Sequence, residues 1–118
     1  MKANLEAATK YLNENEKILS FLYCKIHLVS ISRSGILIAT TDKLLFCADA
    51  IIGKGLKWEF PYKTISNLNE NDGAVLGTVP FIKKILLNCK EDLIIFENFS
   101  NPSKVNDFLK LIKSKMHK

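Results

Sequence analysis

The stretch from Gly35 to Phe46, Gly-Ile-Leu-Ile-Ala-Thr-Thr-Asp-Lys-Leu-Leu-Phe, constrains this chain most, because two apolar β-type runs flank a polar turn of Thr41, Asp42 and Lys43. Ile36, Ile38 and Thr40 are β-branched and suit a pleated surface, and Asp42 can bond its own backbone in the turn. The pattern predicts a hairpin. It reads as buried, and the other strands and both terminal helices can be placed around it.

At 118 residues the chain fits one domain, large enough to bury a core without disulfides or metal. With 47% apolar and 25% charged residues, folding rather than disorder is expected. No apolar run approaches the ~20 residues of a membrane span. The N-terminal stretch, with Glu6, Asn13 and Glu14, lacks the apolar centre of a signal peptide, so the expected location is cytoplasmic. The net charge of +5 is unevenly placed: Lys104 to Lys118 holds five lysines and one aspartate, which leaves the rest near neutral. Such a lysine-rich helix face is ordinarily solvated surface.

Along the chain, Ala3 to Asn13 reads as a short helix with Leu5, Ala8 and Leu12 on one face and Asn4 as N-cap. Residues 1–15 are therefore expected to be a helical extension and 16–118 a single domain. From Glu16 the period is two: Ile18, Leu22, Cys24, Ile26 and Leu28 point one way, Tyr23, Lys25 and His27 the other. Asp49 to Gly55 is a loop. Leu56, Trp58 and Phe60 then alternate with polar residues up to Pro61, which marks a strand end or a sheet edge. Tyr62 to Asn69 reads as a short strand that stops at Asn71-Asp72-Gly73, and Ala74 to Pro80 as either more strand or loop. Phe81 to Cys89 and Leu93 to Phe99 pair across Lys90-Glu91-Asp92, with Ile85, Leu87 and Cys89 inward and Lys84, Leu86 and Asn88 outward. Asn101 as N-cap and Pro102 at the first helical position open a closing helix whose apolar stripe is Val105, Phe108, Leu109, Ile112 and Met116. A helix, about seven antiparallel strands and a helix with a stripe to bury make a mainly β, α+β domain. Two small packed sheets or a strongly bent barrel, with the last helix plugging one open end, satisfy the pattern.

The hairpin run followed by Trp58-Glu59-Phe60-Pro61-Tyr62-Lys63-Thr64-Ile65-Ser66 resembles the bacterial pleckstrin-homology-like domains of the YokE-like type. In that family a strand ends in Thr, two polar residues and a basic residue before a second apolar strand, and a Pro-Tyr-x-x-Ile-Ser segment follows. Thr40 to Phe46 fill the first pattern, with Lys43 where arginine is usual; Pro61, Tyr62, Ile65 and Ser66 fill the second. The resemblance covers roughly residues 16 to 115. It implies a pleckstrin-homology-like bent barrel capped by the C-terminal helix, a scaffold that binds peptides, proteins or inositol phospholipids.

No Ser-His-acid spacing, phosphate-binding glycine loop or paired-carboxylate motif stands out, and His27 and His117 are expected to face solvent. No catalytic residue is assigned and no enzyme is expected. Cys24, Cys47 and Cys89 lack Cys-x-x-Cys spacing and fall in predicted strands, which points to reduced, buried thiols, no metal and no cofactor. An anionic ligand would find Lys25, Arg33, Lys54 and Lys57 at the loop end opposite the closing helix. Against it, the lipid-binding members of the wider superfamily carry basic-x-Arg where Ile31 and Ser32 precede Arg33, and Asp49, Glu91 and Asp92 share these loops. The basic face of the last helix has no aromatic residues on which bases could stack, which weighs against nucleic acid.

Protein association has one positive sign. Strict alternation leaves Leu86 and either Leu93 with Ile95 or Ile94 with Phe96 on the outside, so both faces of the last hairpin are apolar. Either the N-terminal helix covers that surface or it meets a partner or a second copy; the candidate interface is Leu86, Leu93 and Ile95. A free edge near Trp58 to Tyr62 offers strand addition as another route. The expected function is a non-catalytic binding module for protein, including a second copy of itself. Peripheral binding of anionic membrane lipid is the alternative.

Overall fold

The computed structural model describes residues 5–29, 31–49, 56–71, 73, 78, 82–99 and 101–116, with Ala7 described in its backbone only. Among these residues the strands β1 (Ile18–His27), β2 (Ser32–Thr40), β3 (Lys43–Ala48), β4 (Lys57–Pro61), β5 (Ile65–Asn71), β6 (Lys84–Cys89) and β7 (Asp92–Asn98) form one antiparallel sheet, ordered β4-β3-β2-β1-β7-β6-β5. The helices are α1 (Leu5–Ala8), which runs on into a 3₁₀ turn at Thr9–Tyr11, and α2 (Pro102–Met116). The strand β1 belongs to both arms of the sheet: it pairs with β2 from Ile18 to His27, but with β7 only from Cys24 to His27. The two packed sheets expected from the sequence are thus the arms of one bent sheet. Its edge strands β4 and β5 follow each other in sequence across a 3₁₀ turn at Tyr62–Thr64, where a strand was expected.

Both hairpin turns are tighter than the sequence suggested. Lys43 opens β3 and Asp92 opens β7, leaving only two connecting residues each time. Lys90 and Glu91 have φ of 52° and 73°, the left-handed pair that a two-residue hairpin turn needs to match strand twist. The central hairpin is as buried as its composition demands, with every residue from Gly35 to Thr40 and from Lys43 to Ala48 buried. Gly35 is the point of closest approach, since a Cβ there would lie 2.1 Å from the Cys47 carbonyl oxygen and 2.8 Å from Ala48 Cα.

Two clusters cover the two faces. The inner one draws on Leu22, Cys24, Ile26, Leu37, Phe46, Phe60, Leu68, Leu87 and Phe96 and is closed by Val105, Phe108, Leu109 and Ile112 of α2. Burying those four side chains contributes roughly 6–12 kcal/mol in transfer terms. Asn101 fixes where the helix starts, its Oδ1 accepting the Lys104 N–H at 2.9 Å. The outer cluster is Ala8, Ile36, Ile38, Leu45 and Cys47, with Leu5, Tyr11, Leu12, Ile18 and Phe21 packed on it. The N-terminal segment therefore covers the outside of β2 and β3. Ile18 was expected beside Leu22 but joins the outer cluster, because a register shift between Ile18 and Ser20 turns the strand over. The helix expected from Ala3 to Asn13 is cut short: Leu12 is already extended, and Asn15 reverses the chain with φ 69°. Asn4, and Ala74 to Pro80 apart from Thr78, lie outside the described residues.

The residues that carry the family resemblance meet in one buried network. Glu16, its side chain fully enclosed, accepts from Lys43 Nζ (2.9 Å), from the Asn13 N–H (2.8 Å) and from the Thr40 hydroxyl. Thr40 Oγ1 in turn accepts the N–H groups of Asp42 and Lys43 at 3.1 Å each, which closes the turn. Tyr62 donates its hydroxyl to the Thr40 carbonyl at 2.6 Å, and Glu59 reaches Lys43 at 3.5 Å. Burial alone would raise the Glu16 pKa, but hydrogen bonds from Thr40, Asn13 and Lys43 and the Lys43 charge outweigh it and hold the carboxyl below its ordinary 4.5. Burial would likewise lower Lys43, yet Glu16 and Glu59 hold it above its ordinary 10.5.

Glu16 is ionised more readily folded than unfolded, so its stabilisation is complete above its unfolded pKa and is lost as pH falls through the depressed folded value. Lys43 has the opposite sign, its stabilisation being lost as pH rises through the raised folded value. We expect Glu16→Gln to cost about 3 kcal/mol near neutral pH, by stranding the Lys43 charge, and to flatten the acid limb of the pH–stability curve. Tyr62→Phe should cost about 1 kcal/mol. Gly35→Ala should cost about 3 kcal/mol, because backbone cannot give way to the new methyl group. Urea midpoints across pH measure all three.

Candidate functional site

With the inner face closed by α2 and the outer face of β2–β3 closed by the N-terminal segment, the outward side of β1, β7 and β6 remains. Ile94 and Phe96 belong to the inner core, so Leu93, Ile95, Glu97 and Phe99 point outward along β7 and beyond its end. Leu93 is 48% exposed, Ile95 is buried, and Leu86, its register partner on β6, is half-buried. The three interface residues named from the sequence thus share one face, with Leu93 the accessible one. At the other end of the column Phe99 donates its N–H to the Tyr23 carbonyl at 3.1 Å, and the two side chains are 57% and 48% exposed. Phe21 meets Tyr23 edge-on, ring centroids 5.7 Å apart, and Lys104 Nζ lies 4.3 Å from the Phe21 ring centroid. Sequence reasoning missed this aromatic step, because Phe99 sits beside Tyr23 only through the β1–β7 pairing.

Between the two apolar ends lies a buried polar group. His27 was expected to face solvent and Lys84 to point outward into water. Both are buried, His27 at 9% and Lys84 at 0% exposure. His27 Nδ1 bonds Ser32 Oγ at 2.9 Å and Nε2 bonds Glu97 Oε1 at 3.1 Å, while Lys84 Nζ donates to the Gly73 carbonyl at 2.6 Å. Ser32 is the cross-strand partner of His27, a neighbour that the hairpin register dictates; Glu97 comes from far along the chain, which spacing could not reveal. The trio satisfies both nitrogens of a buried imidazole. His117 lies outside the described residues.

The register separates the basic residues. Lys25 pairs with Ser34 and opposite Glu97 on the outward face, whereas Arg33 pairs with Ile26 and so stands on the other face, its Nη1 donating to the Ser32 carbonyl at 3.2 Å. Lys57 is also outward but engaged, 3.4 Å from Glu59 and 4.9 Å from the Tyr11 ring centroid. Lys54 lies outside the described residues. A cleft of about 360 Å³ at the far end is lined by Asp42, Pro61, Tyr62, Lys63, Lys115 and Met116. Its two lysines face an aspartate and the negative end of α2, which offset most of their pull on an anion.

Cys24, Cys47 and Cys89 are buried and unpaired by disulfide. Burial raises the Cys24 thiol far above its ordinary value and pushes Cys47 up to about 11, despite the nearby Lys57 and Lys10 charges, so neither is a ready nucleophile. Among the described residues no His, Cys, Asp or Glu side chains gather as a metal site, and no helix is long and apolar enough to cross a membrane.

No curated protein matches the chain in sequence. Among solved structures, the Vps36 N-terminal PH domain superposes with a TM-score of 0.67 at 12% identity, over 90% of this chain and 83% of that one. The C-terminal domain of an unknown protein from Leishmania infantum gives 0.63 at 15% identity, covering 96% and 94%. A pleckstrin homology domain from Shewanella amazonensis gives 0.62 at 14% identity, covering 96% and 95%. The likeness to these structures is one of fold. The bacterial PH domain family, in contrast, matches the sequence itself over residues 12–114, nearly the whole of the sheet and α2, and the chain belongs to that family.

Proposed function

We propose that this PH domain is a non-catalytic module that binds protein through the outward face of β1, β7 and β6. The observation that supports it is the choice made by the N-terminal segment. It packs on Ile36, Ile38, Leu45 and Cys47, which leaves Leu93, Tyr23 and Phe99 to water. Tyr23 and Phe99 lie side by side on this face, and aromatic residues are favoured anchors of a contact surface. Leu93, with Asn88 as register partner and Leu86 and Ile95 behind it, makes an apolar strip, and this end of the face suits a second copy of the chain.

The alternative, peripheral binding to anionic lipid, draws on Val29. It is 97% exposed in the loop after β1, four residues before Arg33 and near Lys25 in sequence, and an apolar tip beside cations suits a headgroup layer. Two measurements separate the readings. Light scattering should show a mass that rises with concentration in the wild type and a folded monomer in Leu93→Lys. Flotation with phosphatidylserine vesicles should leave the protein unbound at physiological salt. Capture by those vesicles that high salt or Arg33→Glu abolishes, together with a monomer at every concentration, would overturn the protein-binding reading in favour of lipid.

A further inference from the structure

We infer that the aromatic step formed by Tyr23, Phe99 and Phe21 is a docking site for an acidic peptide segment that carries an aromatic side chain. The step is built rather than incidental. Continuation of the β1–β7 ladder sets Phe99 against Tyr23, and the edge-on contact with Phe21 orients the Tyr23 ring. On one flank stands the N-terminal segment, one layer above the sheet: Ile36, the register partner of Tyr23, is wholly buried beneath it, and Phe21 packs at its border. On the other flank is the first turn of α2, which begins three residues after Phe99 and is held by the Asn101 cap. The exposed rings thus lie between the N-terminal segment and the start of α2, on a face that an extended chain can cross.

The charge around the rings selects the partner. Lys104 lies over Phe21, and Lys25 is two residues from Tyr23 on the same face. The carboxylate nearest in the ladder, Glu97, is buried and bonded to His27, so the surface presents positive charge. A partner segment with an aromatic side chain for the Tyr23–Phe99 surface and carboxylates for Lys25 and Lys104 complements it in shape and in sign. A second copy meeting this patch about a two-fold axis would set Lys25 and Lys104 against their own counterparts, which disfavours that occupant here.

This inference rests on the protein-binding reading, and its test separates the two. A labelled acidic peptide with one central phenylalanine is titrated by fluorescence polarisation beside the same peptide with alanine at that place. Phosphatidylcholine vesicles with and without phosphatidylserine serve as the membrane probe. The phenylalanine peptide should bind at least about tenfold more tightly than the alanine peptide, and Tyr23→Ala or Phe99→Ala should each remove about that factor. Lys104→Glu should weaken binding and flatten its salt dependence, while Leu93→Lys leaves it unchanged. All four side chains are at or near the surface, so the unfolding midpoint serves as the control for folding. Equal binding of both peptides, or indifference to Tyr23 and Phe99, overturns the assignment. Phosphatidylserine-dependent vesicle capture that Phe99→Ala abolishes overturns it too and gives the patch to membrane. If the peptides are ignored while Leu93→Lys still dissolves an oligomer, the docking site falls and the protein-binding reading stands.

Discussion

One buried carboxylate, Glu16, ties together three parts of the chain that are far apart in sequence. Through Asn13 it fixes the exit from the N-terminal turns, through Thr40 and Lys43 it closes the central hairpin, and Thr40 passes the connection on to Tyr62 at the corner between β4 and β5. The Thr40, Lys43 and Tyr62 links are buried polar groups, each costly without its partner. The bent sheet needs such a fastening because its edge strands β4 and β5 do not pair with each other. Tyr62 sits at their junction, and its hydroxyl holds the corner against the β2–β3 turn.

The same network decides which outer surface is covered. Glu16 anchors the N-terminal segment beside the β2–β3 turn, so Leu5, Ala8, Tyr11 and Leu12 descend on Ile36, Ile38, Leu45 and Cys47. The register shift after Ile18 then returns β1 to the alternation that sends Leu22, Cys24 and Ile26 inward and Tyr23 and Lys25 outward. Among the described residues the N-terminal segment is the one that packs on outer sheet, and it covers the half that is apolar throughout. The other half is left with a polar centre, His27 and Glu97, between two apolar ends.

Local chemistry made much of the fold legible in the sequence. The alternation around Leu22, the central hairpin, the Asn101-Pro102 start of α2 and its stripe all follow from nearest-neighbour rules and appear where those rules put them. What the sequence hid depends on contacts between distant residues. His27 looked like a surface residue because Glu97 lies on another strand, and Lys84 because its carbonyl partner sits in the β5–β6 connection. The bulge after Ile18 has no composition signal. The outward face was half legible: alternation put Leu86 there with either Leu93 and Ile95 or Ile94 and Phe96, while Phe99 lies past the end of β7 and gains its meaning only from the backbone bond to Tyr23. Within the basic set, a single residue of offset between Lys25 and Arg33 in the ladder puts those two on opposite faces, which composition could not reveal.

The family motifs and the exposed side chains of the outward sheet face are therefore different residues. Thr40, Lys43 and Tyr62 are consumed by the scaffold, their polar atoms bonded to Glu16, to each other or to backbone, and a ligand would have to displace those bonds to use them. Lysine suffices at position 43 because Glu16 asks for a point charge within 2.9 Å rather than a planar fork. Specificity is then free to vary where the scaffold makes no demand, on the outward faces of β1 and β7. Tyr23 and Phe99 do not enter the buried core and can change without disturbing it. That division separates the residues that hold the scaffold from those on its surface. It also explains why likeness in fold, at 12–15% identity, carries the architecture but not the ligand.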